Sequence, residues 1–196
     1  PIRPSGFVDD PPLAEPYRAG QARQRALARG NIVHRLMQSL PEVPLERRAE
    51  MARRFIARQK AEFSEAEQSE IARQVLGLLT DTRFAELFAP GSRAEVPIVG
   101  RVNGRTVNGV VDRLVVTQDA VLIADYKTNR PAPANVDNIA NRYRGYVRQL
   151  ALYREVLKKI YPGRAVRAAL VWTDTPSLME IPTEKLHAAL EDLTSP

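Results

Sequence analysis

The chain has 196 residues, 44% of them hydrophobic, and a formal net charge of +6. This length suits one domain, or one domain with a helical appendage, and the apolar fraction is enough for a core. Cysteine is absent, which excludes disulfides, thiolate zinc sites and iron–sulfur clusters. No apolar run could span a bilayer and no segment resembles a secretory signal, so we expect a cytoplasmic protein without membrane contact. Because the chain begins at a proline, we also expect it to be part of a longer chain.

The first ninety residues are predicted to be mainly helical after a proline-rich start. Residues 1–16 lack apolar periodicity, so we expect an extended linker there. From about residue 17 to residue 40, apolar side chains recur at helical spacing, and His34 lies at the edge of this stripe. A single histidine beside a buried face is more often packed than functional, and both interpretations of His34 stay open. Two or three further helices are predicted between residues 44 and 88.

Three β-branched runs follow and predict an antiparallel meander. The turn signals between them are an Asn-Gly pair at 103–104, which is the stronger, and a Gln-Asp pair at 118–119. Hairpin symmetry about the first turn places Glu95 opposite Asp112, and symmetry about the second places Asp112 opposite Asp125. The three carboxylates are therefore predicted to form one row across the sheet.

A row of three acids requires positive charge nearby. Directly opposite residues have Cβ atoms roughly 4.5–5.5 Å apart, and like charges at that separation are destabilising. Lys127 points to the same face as Asp125, because side chains alternate along a strand, but one ammonium cannot offset three carboxylates. A hard divalent cation with oxygen ligands can. The alternative is a solvated acidic face, which the apolar residues around Asp112 and Asp125 disfavour. A bulge at Pro97 or at residues 108–109 would break the register.

The region after the meander is predicted to be a loop, a long helix and the remainder of the sheet. The helix is predicted from about residue 141 to residue 160, and one of its faces carries Tyr146, Gln149 and Tyr153. Two tyrosines at this spacing are often half-buried core, but a buried amide between them needs partners. Two arginines on an adjacent face could contact phosphates, namely Arg144 and Arg148. Strands at 165–173 and 178–181 and a helix at 183–193 complete the prediction.

The positive charge is concentrated in two segments that flank the acidic meander. Residues 18–60 contain eleven Lys or Arg against three acids, and residues 128–170 contain nine against two. An acidic row between basic segments suits a polyanion whose backbone approaches a bound metal, since Lys and Arg supply phosphate affinity. The alternative is that these are basic helices that are simply well solvated.

The order of these features resembles the PD-(D/E)XK nucleases, and most closely the C-terminal nuclease domain of the RecB and AddA helicase-nuclease subunits. The resemblance covers roughly residues 19–172. Any one motif is weak, but five in order with compatible spacing are a strong signal. The matching residues are Gly30 and His34 in GNIVHRLMQSL, Glu95 in AEVPI, Asp112 in GVVDRL, Asp125, Tyr126 and Lys127 in IADYKTNR, and Tyr146, Gln149 and Tyr153 in YVRQLALY.

This resemblance implies an α/β fold with a restriction-endonuclease-like core. Its central mixed sheet would contain the antiparallel meander, with helices on both sides and a helical segment at the N-terminus. The implied organisation is a linker over 1–16 and a nuclease domain over 17–196. Within that domain, 17–90 would be the mainly helical part, and 91–196 would be the sheet core with its flanking helices.

The resemblance also implies a role for each site residue. A Mg²⁺ ion, or Mn²⁺, would be held by His34, Asp112, Asp125 and the backbone carbonyl of Tyr126, and an imidazole ligand favours Mn²⁺ somewhat. Lys127 would orient the attacking water or neutralise charge that develops on the phosphate. Glu95 would support the site or bind a second ion. Gln149 and Tyr153 would hold the nucleotide or ordered waters.

The implied activity is metal-dependent, exonucleolytic hydrolysis of DNA on a single strand fed from an attached helicase. The partners would be an AddB-like subunit in a heterodimer and helicase domains N-terminal to this segment. The chain has no phosphate-binding Gly-x-x-x-x-Gly-Lys-Ser/Thr loop, so ATP would bind only in that motor. AddB-type relatives carry an iron–sulfur cluster, which a chain without cysteine cannot hold. The alternatives are a non-catalytic DNA-binding or scaffold domain of the same fold, and a stand-alone exonuclease or restriction-type endonuclease.

Overall fold

A computed structural model describes residues 16–59 and 63–191 of the chain, with side chains from residue 20 onward. The linker predicted over 1–16 lies outside the described residues except for Pro16, at which the first helix begins. The end of the predicted closing helix, at 192–193, also lies outside them. The domain limits drawn from the sequence stay a prediction.

Six α-helices and five strands form the described part of the chain. The helices are α1 (Pro16–Ser39), α2 (Leu45–Ala57), α3 (Glu65–Thr80), α4 (Val136–Arg142), α5 (Arg144–Ile160) and α6 (Thr183–Glu191). The strands are β1 (Arg93–Val102), β2 (Arg105–Val116), β3 (Ala120–Lys127), β4 (Ala165–Trp172) and β5 (Ser177–Glu180). Short 3-10 helices lie at Leu40–Glu42 and Thr82–Phe88.

The five strands form one mixed sheet in the order β1-β2-β3-β4-β5. The first three form the predicted antiparallel meander, β4 lies parallel to β3, and β5 is antiparallel to β4. Asn103 and Gly104 both have positive φ angles, 49° and 76°, as a two-residue type I′ hairpin turn requires. The pairing runs unbroken through Pro97 and residues 108–109, so neither position has a bulge. The predicted α/β fold class is confirmed.

Helices cover both faces of the sheet and divide the core into two clusters. The cluster under α5 and α6 includes Val107, Val111, Leu150 and Trp172. The cluster under α1, α2 and α3 includes Leu36, Val75, Val115, Leu122 and Tyr126. The sheet is therefore covered on both sides where β3 and β4 cross the molecule. Among the helices of residues 16–59 and 63–191, none is both long and apolar enough to cross a membrane.

The helix predicted over 141–160 is interrupted at Tyr143, which has a φ of −123° and a ψ of 48°. The ring of Tyr143 is buried and stacks on Tyr146, with 5.4 Å between ring centroids and 4° between planes. It also contacts Trp172 of β4, with 5.3 Å between centroids. We infer that this aromatic packing fixes the break, which places α5 directly over the end of β3.

At Glu95 and Asp112, the side chains of β1 and β2 stop alternating regularly between the two faces of the sheet. Val111 and Leu114 both pack in the cluster under α5, although residues three apart in a regular strand point to opposite faces. Glu95 has a φ of 51°, in the left-handed region. The pairs on both sides of it keep the predicted register. Each strand therefore twists locally without slipping, and the two acids lie at the twist.

Candidate metal centre

The sheet opens between β2 and β3 just beyond the twist. Ladder pairing between these strands ends at Arg113 and Ala124. Past that point the backbone N–H of Tyr126 donates to Asp112 Oδ2 at 2.8 Å. Because the N–H and C=O of one strand residue point to the same edge, the carbonyl of Tyr126 also faces this opening. A carboxylate thus takes the place of a backbone acceptor.

His34 closes the opening from α1. Its Nε2 lies 3.1 Å from the carbonyl oxygen of Tyr126, and its Nδ1 lies 3.6 Å from Asp112 Oδ2. Gly30, one turn earlier, allows this approach, because a Cβ there would lie only 3.1 Å from Thr128 Oγ1. A histidine that binds metal commonly donates its other N–H to a backbone carbonyl. The geometry therefore suits Nε2 as the anchor and Nδ1 as the metal ligand.

Three of the predicted site residues can hold one metal ion together. His34, Glu95 and Asp112 each offer a ligand atom, and these atoms all lie within 4.8 Å of one another. Carboxylate oxygens and an imidazole nitrogen are donors for Mg²⁺, Mn²⁺ and related divalent ions. The donor set therefore fits a divalent metal. The structure brings Glu95 into this group directly, whereas the resemblance implied a supporting or second-ion role for it.

The protonation of these three residues is linked. Burial opposes protonation of His34, but its close contact with Asp112 and the charge of that carboxylate raise the pKa of His34. Burial would raise the pKa of Asp112, yet the contacts with His34 and with the Tyr126 N–H lower it. Burial and the charge of Asp112 raise the pKa of Glu95. Both shifts favour an imidazolium beside a carboxylate, and a metal that binds the imidazole must displace its proton.

Asp125 lies beside this group and is paired with Lys127 and Gln149. It is only 5% exposed. Its Oδ2 lies 2.5 Å from Lys127 Nζ, and its Oδ1 accepts a hydrogen bond from Gln149 Nε2 at 3.1 Å. Burial and the charge of Asp112 raise the pKa of Asp125, although Lys127 acts in the opposite direction. The ladder pairing of β2 and β3 ends one residue before Asp112 and Asp125, so the structure does not pair the two acids across the strands as the predicted row would.

Lys127 is enclosed between an acid and an aromatic ring. Its Nζ lies 3.8 Å from the centroid of the Tyr146 ring, in addition to its contact with Asp125. Burial would lower the pKa of Lys127, but Asp125 raises it above its ordinary value. The Tyr146 hydroxyl donates to Asn129 Oδ1 at 3.0 Å. Lys127 is therefore a charged ammonium held in one position.

The remaining predicted residues lie on α5. Gln149 is 6% exposed, and its amide reaches both Asp125 and, at a long 3.4 Å, the Tyr153 hydroxyl. Tyr153 packs on Gly109 so tightly that a Cβ there would overlap its ring and hydroxyl. The face predicted for Tyr146, Gln149 and Tyr153 thus borders the site. Near the start of this helix, Arg144 is exposed and Arg148 is half-buried.

Sequence reasoning missed Arg113, which follows Asp112 and is 1% exposed. Its guanidinium donates to the hydroxyl of Tyr126 at 3.2 Å and to the carbonyl of Met37 at 2.8 Å. It thereby joins β2 to the residue whose carbonyl meets His34 and to the helix that carries His34. The available signal was a lone cation in the apolar run Val-Val-Asp-Arg-Leu-Val-Val.

Residues 13–193 match the family model described as the PD-(D/E)XK nuclease superfamily. The chain belongs to this superfamily. Among solved structures, this chain is similar to SSO0001. The sequence identity is 13%, 75% of this chain and 85% of that chain are covered, and the TM-score is 0.34. This chain is also similar to VC1899 from Vibrio cholerae, with 15% identity, 87% of this chain and 51% of that chain covered, and a TM-score of 0.33. No curated protein matches the chain.

Membership accounts for the chemistry of the site. PD-(D/E)XK nucleases use divalent metals, and the group of His34, Glu95 and Asp112 supplies suitable ligands here. An Asp-x-Lys sequence, Asp125 and Lys127, lies beside that group.

Proposed function

We propose that residues 17–196 form a metal-dependent DNA nuclease domain that hydrolyses phosphodiester bonds. The observation that carries this proposal is the meeting of His34, Glu95 and Asp112 within 4.8 Å, beside the buried pair of Asp125 and Lys127. A domain that only bound DNA would have no need of a buried acid-lysine pair next to three metal ligands. Superfamily membership of the chain supports the same conclusion.

We assign the metal ligands from both sides of the opening in the sheet. His34, Glu95 and Asp112 hold the ion, with Asp125 and the carbonyl of Tyr126 contributing from β3. When bound, Mg²⁺ or Mn²⁺ supplies a Lewis acid that polarises the phosphate and lowers the pKa of water. His34, Asp112 and Asp125 would also keep the approaching phosphate in one orientation, because hydrogen bonds fix their side chains.

Lys127 places a positive charge where negative charge develops during hydrolysis. A fixed ammonium in a site of low water content stabilises such charge more than a mobile one does. Tyr146 fixes it through its ring, and Asp125 keeps it protonated. Gln149 and Tyr153 hold the nucleotide or the ordered waters, while Arg144 and Arg148 contact phosphates of the strand.

The resemblance in the motif residues extends the proposal to the parent protein. We infer an AddA-type helicase-nuclease subunit that acts exonucleolytically on a strand unwound by its own N-terminal motor, where ATP binds. Its partner is an AddB-like subunit, and the complex serves double-strand break repair and recombination in the cytoplasm. The absence of cysteine favours AddA over AddB-type relatives.

The test uses the purified chain with end-labelled single-stranded and double-stranded DNA. We expect cleavage with Mg²⁺ or Mn²⁺ and none with chelator. Asp125→Ala is expected to abolish cleavage while DNA affinity stays nearly unchanged. Wild-type cleavage rates in that variant would reject the assignment. Metal-independent binding of DNA without cleavage, in the chain joined to its motor and partner, would favour the scaffold alternative.

A further inference from the structure

A second charged cluster lies beside the metal ligands, at the carboxyl ends of the parallel strands β3 and β4. Arg130 follows the end of β3, and Asp174 follows the end of β4. Arg130 Nε lies 2.7 Å from Asp174 Oδ1. In open α/β sheets, ligands bind in the crevice outside the carboxyl ends of the strands. The cluster therefore lies at an edge of the sheet that is suited to substrate.

Arg29 reaches the same cluster from α1. Its Nη2 donates to Gln74 Oε1, and the Gln74 amide donates to Asp174 Oδ1 at 3.3 Å. Gln74 is 4% exposed, so the connection between Arg29 and Asp174 is fixed by packing. The next residue, Gly30, packs closely on Thr128. Arg29 is thus held against the segment that follows β3 and that carries the second arginine.

The two guanidinium groups lack enough carboxylate to neutralise them. Of the acids near Arg29, Asp174 is bound by Arg130, and Glu70 is bound by Arg73 at 2.6 Å. Burial, and then the charge of Arg130, lower the pKa of Arg29, as expected for two cations held close together. Within residues 20–59 and 63–191, the protein provides an acceptor for Nη2 of Arg29 and Nε of Arg130, and for no other N–H of either group.

We propose that Arg29 and Arg130 bind a backbone phosphate of the DNA strand, next to the phosphate that is cleaved. This inference rests on the proposed function. Paired guanidinium groups with free N–H donors match the geometry of a phosphate. Arg29 precedes His34 by five residues, about 7 Å along the helix axis, a distance that suits neighbouring phosphates of one strand. These contacts position the strand and do not touch the reacting bond.

The test compares Arg29→Gln and Arg130→Gln with wild type in binding of fluorescent single-stranded DNA, with chelator present so that no cleavage occurs. Each variant is expected to bind about tenfold more weakly, as loss of one charge-assisted hydrogen bond predicts. The slope of log affinity against log salt should fall by about 0.7. In cleavage assays KM should rise about tenfold while kcat stays within twofold.

Arg83→Gln is the matched control. Arg83 also pairs with an aspartate, Asp81, at 2.6 Å, but it lies past the end of α3, away from Gln74. This variant should leave DNA affinity and the salt slope unchanged. Equal losses in all three variants would show a general charge effect and overturn the proposal. Unchanged affinity in both site variants, or a fall in kcat without a change in KM, would overturn it as well.

Asp174→Asn should change DNA affinity in the opposite direction. This variant also tests the proposal if the arginine variants fail to fold. Removing the competing carboxylate frees Arg130 without removing its charge, so DNA should bind more tightly, by about threefold to tenfold. Unchanged or weaker binding would mean that the network only stabilises the fold. Because the DNA-binding measurements need no cleavage, they test the phosphate site separately from the nuclease activity.

Discussion

The ammonium of Lys127 lies 3.8 Å from the centroid of the Tyr146 ring and 2.5 Å from Asp125 Oδ2. The tyrosine comes from α5 and the other two residues from β3, so the position of the lysine depends on how the helix docks. The hydroxyl of Tyr146 is in turn fixed by Asn129. Lys127 therefore has a defined place before any substrate arrives.

Tyr146→Leu is expected to slow cleavage by up to about 30-fold, because a desolvated cation–π contact contributes about 2 kcal/mol. Tyr146→Phe keeps the ring and loses the hydroxyl with its hydrogen bond to Asn129, so its effect should be about threefold or less. Single-turnover cleavage at saturating metal measures both rates, and thermal unfolding verifies that each variant folds. Equal rates in the two variants would contradict a role for the ring.

His34→Ala should raise the metal concentration needed for half-maximal cleavage by at least about tenfold, because one of three clustered ligands is lost. Titration of cleavage with Mg²⁺ and with Mn²⁺ measures this shift, and calorimetry follows metal binding directly. The matched control is His187→Ala. His187 contacts Arg154, at 3.3 Å, on the opposite side of the sheet, so its variant should titrate like wild type. Identical titrations for both variants would remove His34 from the site.

Gly109→Ala should destabilise the fold by about 1–3 kcal/mol, because the new methyl group would overlap Tyr153. The double variant with Tyr153→Leu should recover part of this loss. Gly77→Ala is the control, because no atom lies within 4 Å of a Cβ in that helical position. It should be neutral or stabilise the protein by up to about 1 kcal/mol. Urea unfolding gives all three values, and a neutral Gly109→Ala would contradict the close packing.

Arg113→Met should lower the free energy of unfolding by about 3 kcal/mol, because the buried carbonyl of Met37 and the Tyr126 hydroxyl lose their donor. The affinity for metal should fall as well, since Arg113 ties β2 to the helix of His34. Arg83→Met, at an exposed ion pair, should change stability by no more than about 0.5 kcal/mol. Urea unfolding and metal titration of the folded variants measure both effects. Wild-type stability of Arg113→Met would show that the guanidinium is dispensable.

The meander could be predicted from the sequence because a hairpin is symmetric about its turn. Once Asn103 and Gly104 were taken as the turn, the register of β1 against β2 followed, and it holds on both sides of Glu95. The local twist at Glu95 could not be predicted, since glutamate is not a residue that readily adopts a positive φ. For that reason the sequence placed three acids in one row, whereas the structure groups Glu95 and Asp112 with His34 and binds Asp125 to Lys127.

Contacts between residues far apart in the sequence could be predicted only where those residues belong to a recognised motif. His34 and Gln149 could be assigned to the site by their place in the order of motifs, although 92 residues separate His34 from the carbonyl it contacts. Arg113 belongs to no such motif, and its partners on α1 and β3 depend on packing that the sequence does not reveal. The break at Tyr143 was missed for the same reason, because it depends on packing against Trp172.

The backbone at Glu95 has one more implication. A φ of 51° is a conformation that glycine or asparagine adopts readily and glutamate does not, at about 1–2 kcal/mol for an ordinary L-residue. Selection for stability alone would favour glycine at this position. Engineering for heat resistance would therefore favour a substitution that removes a proposed metal ligand, and we expect the more stable variant to bind metal more weakly.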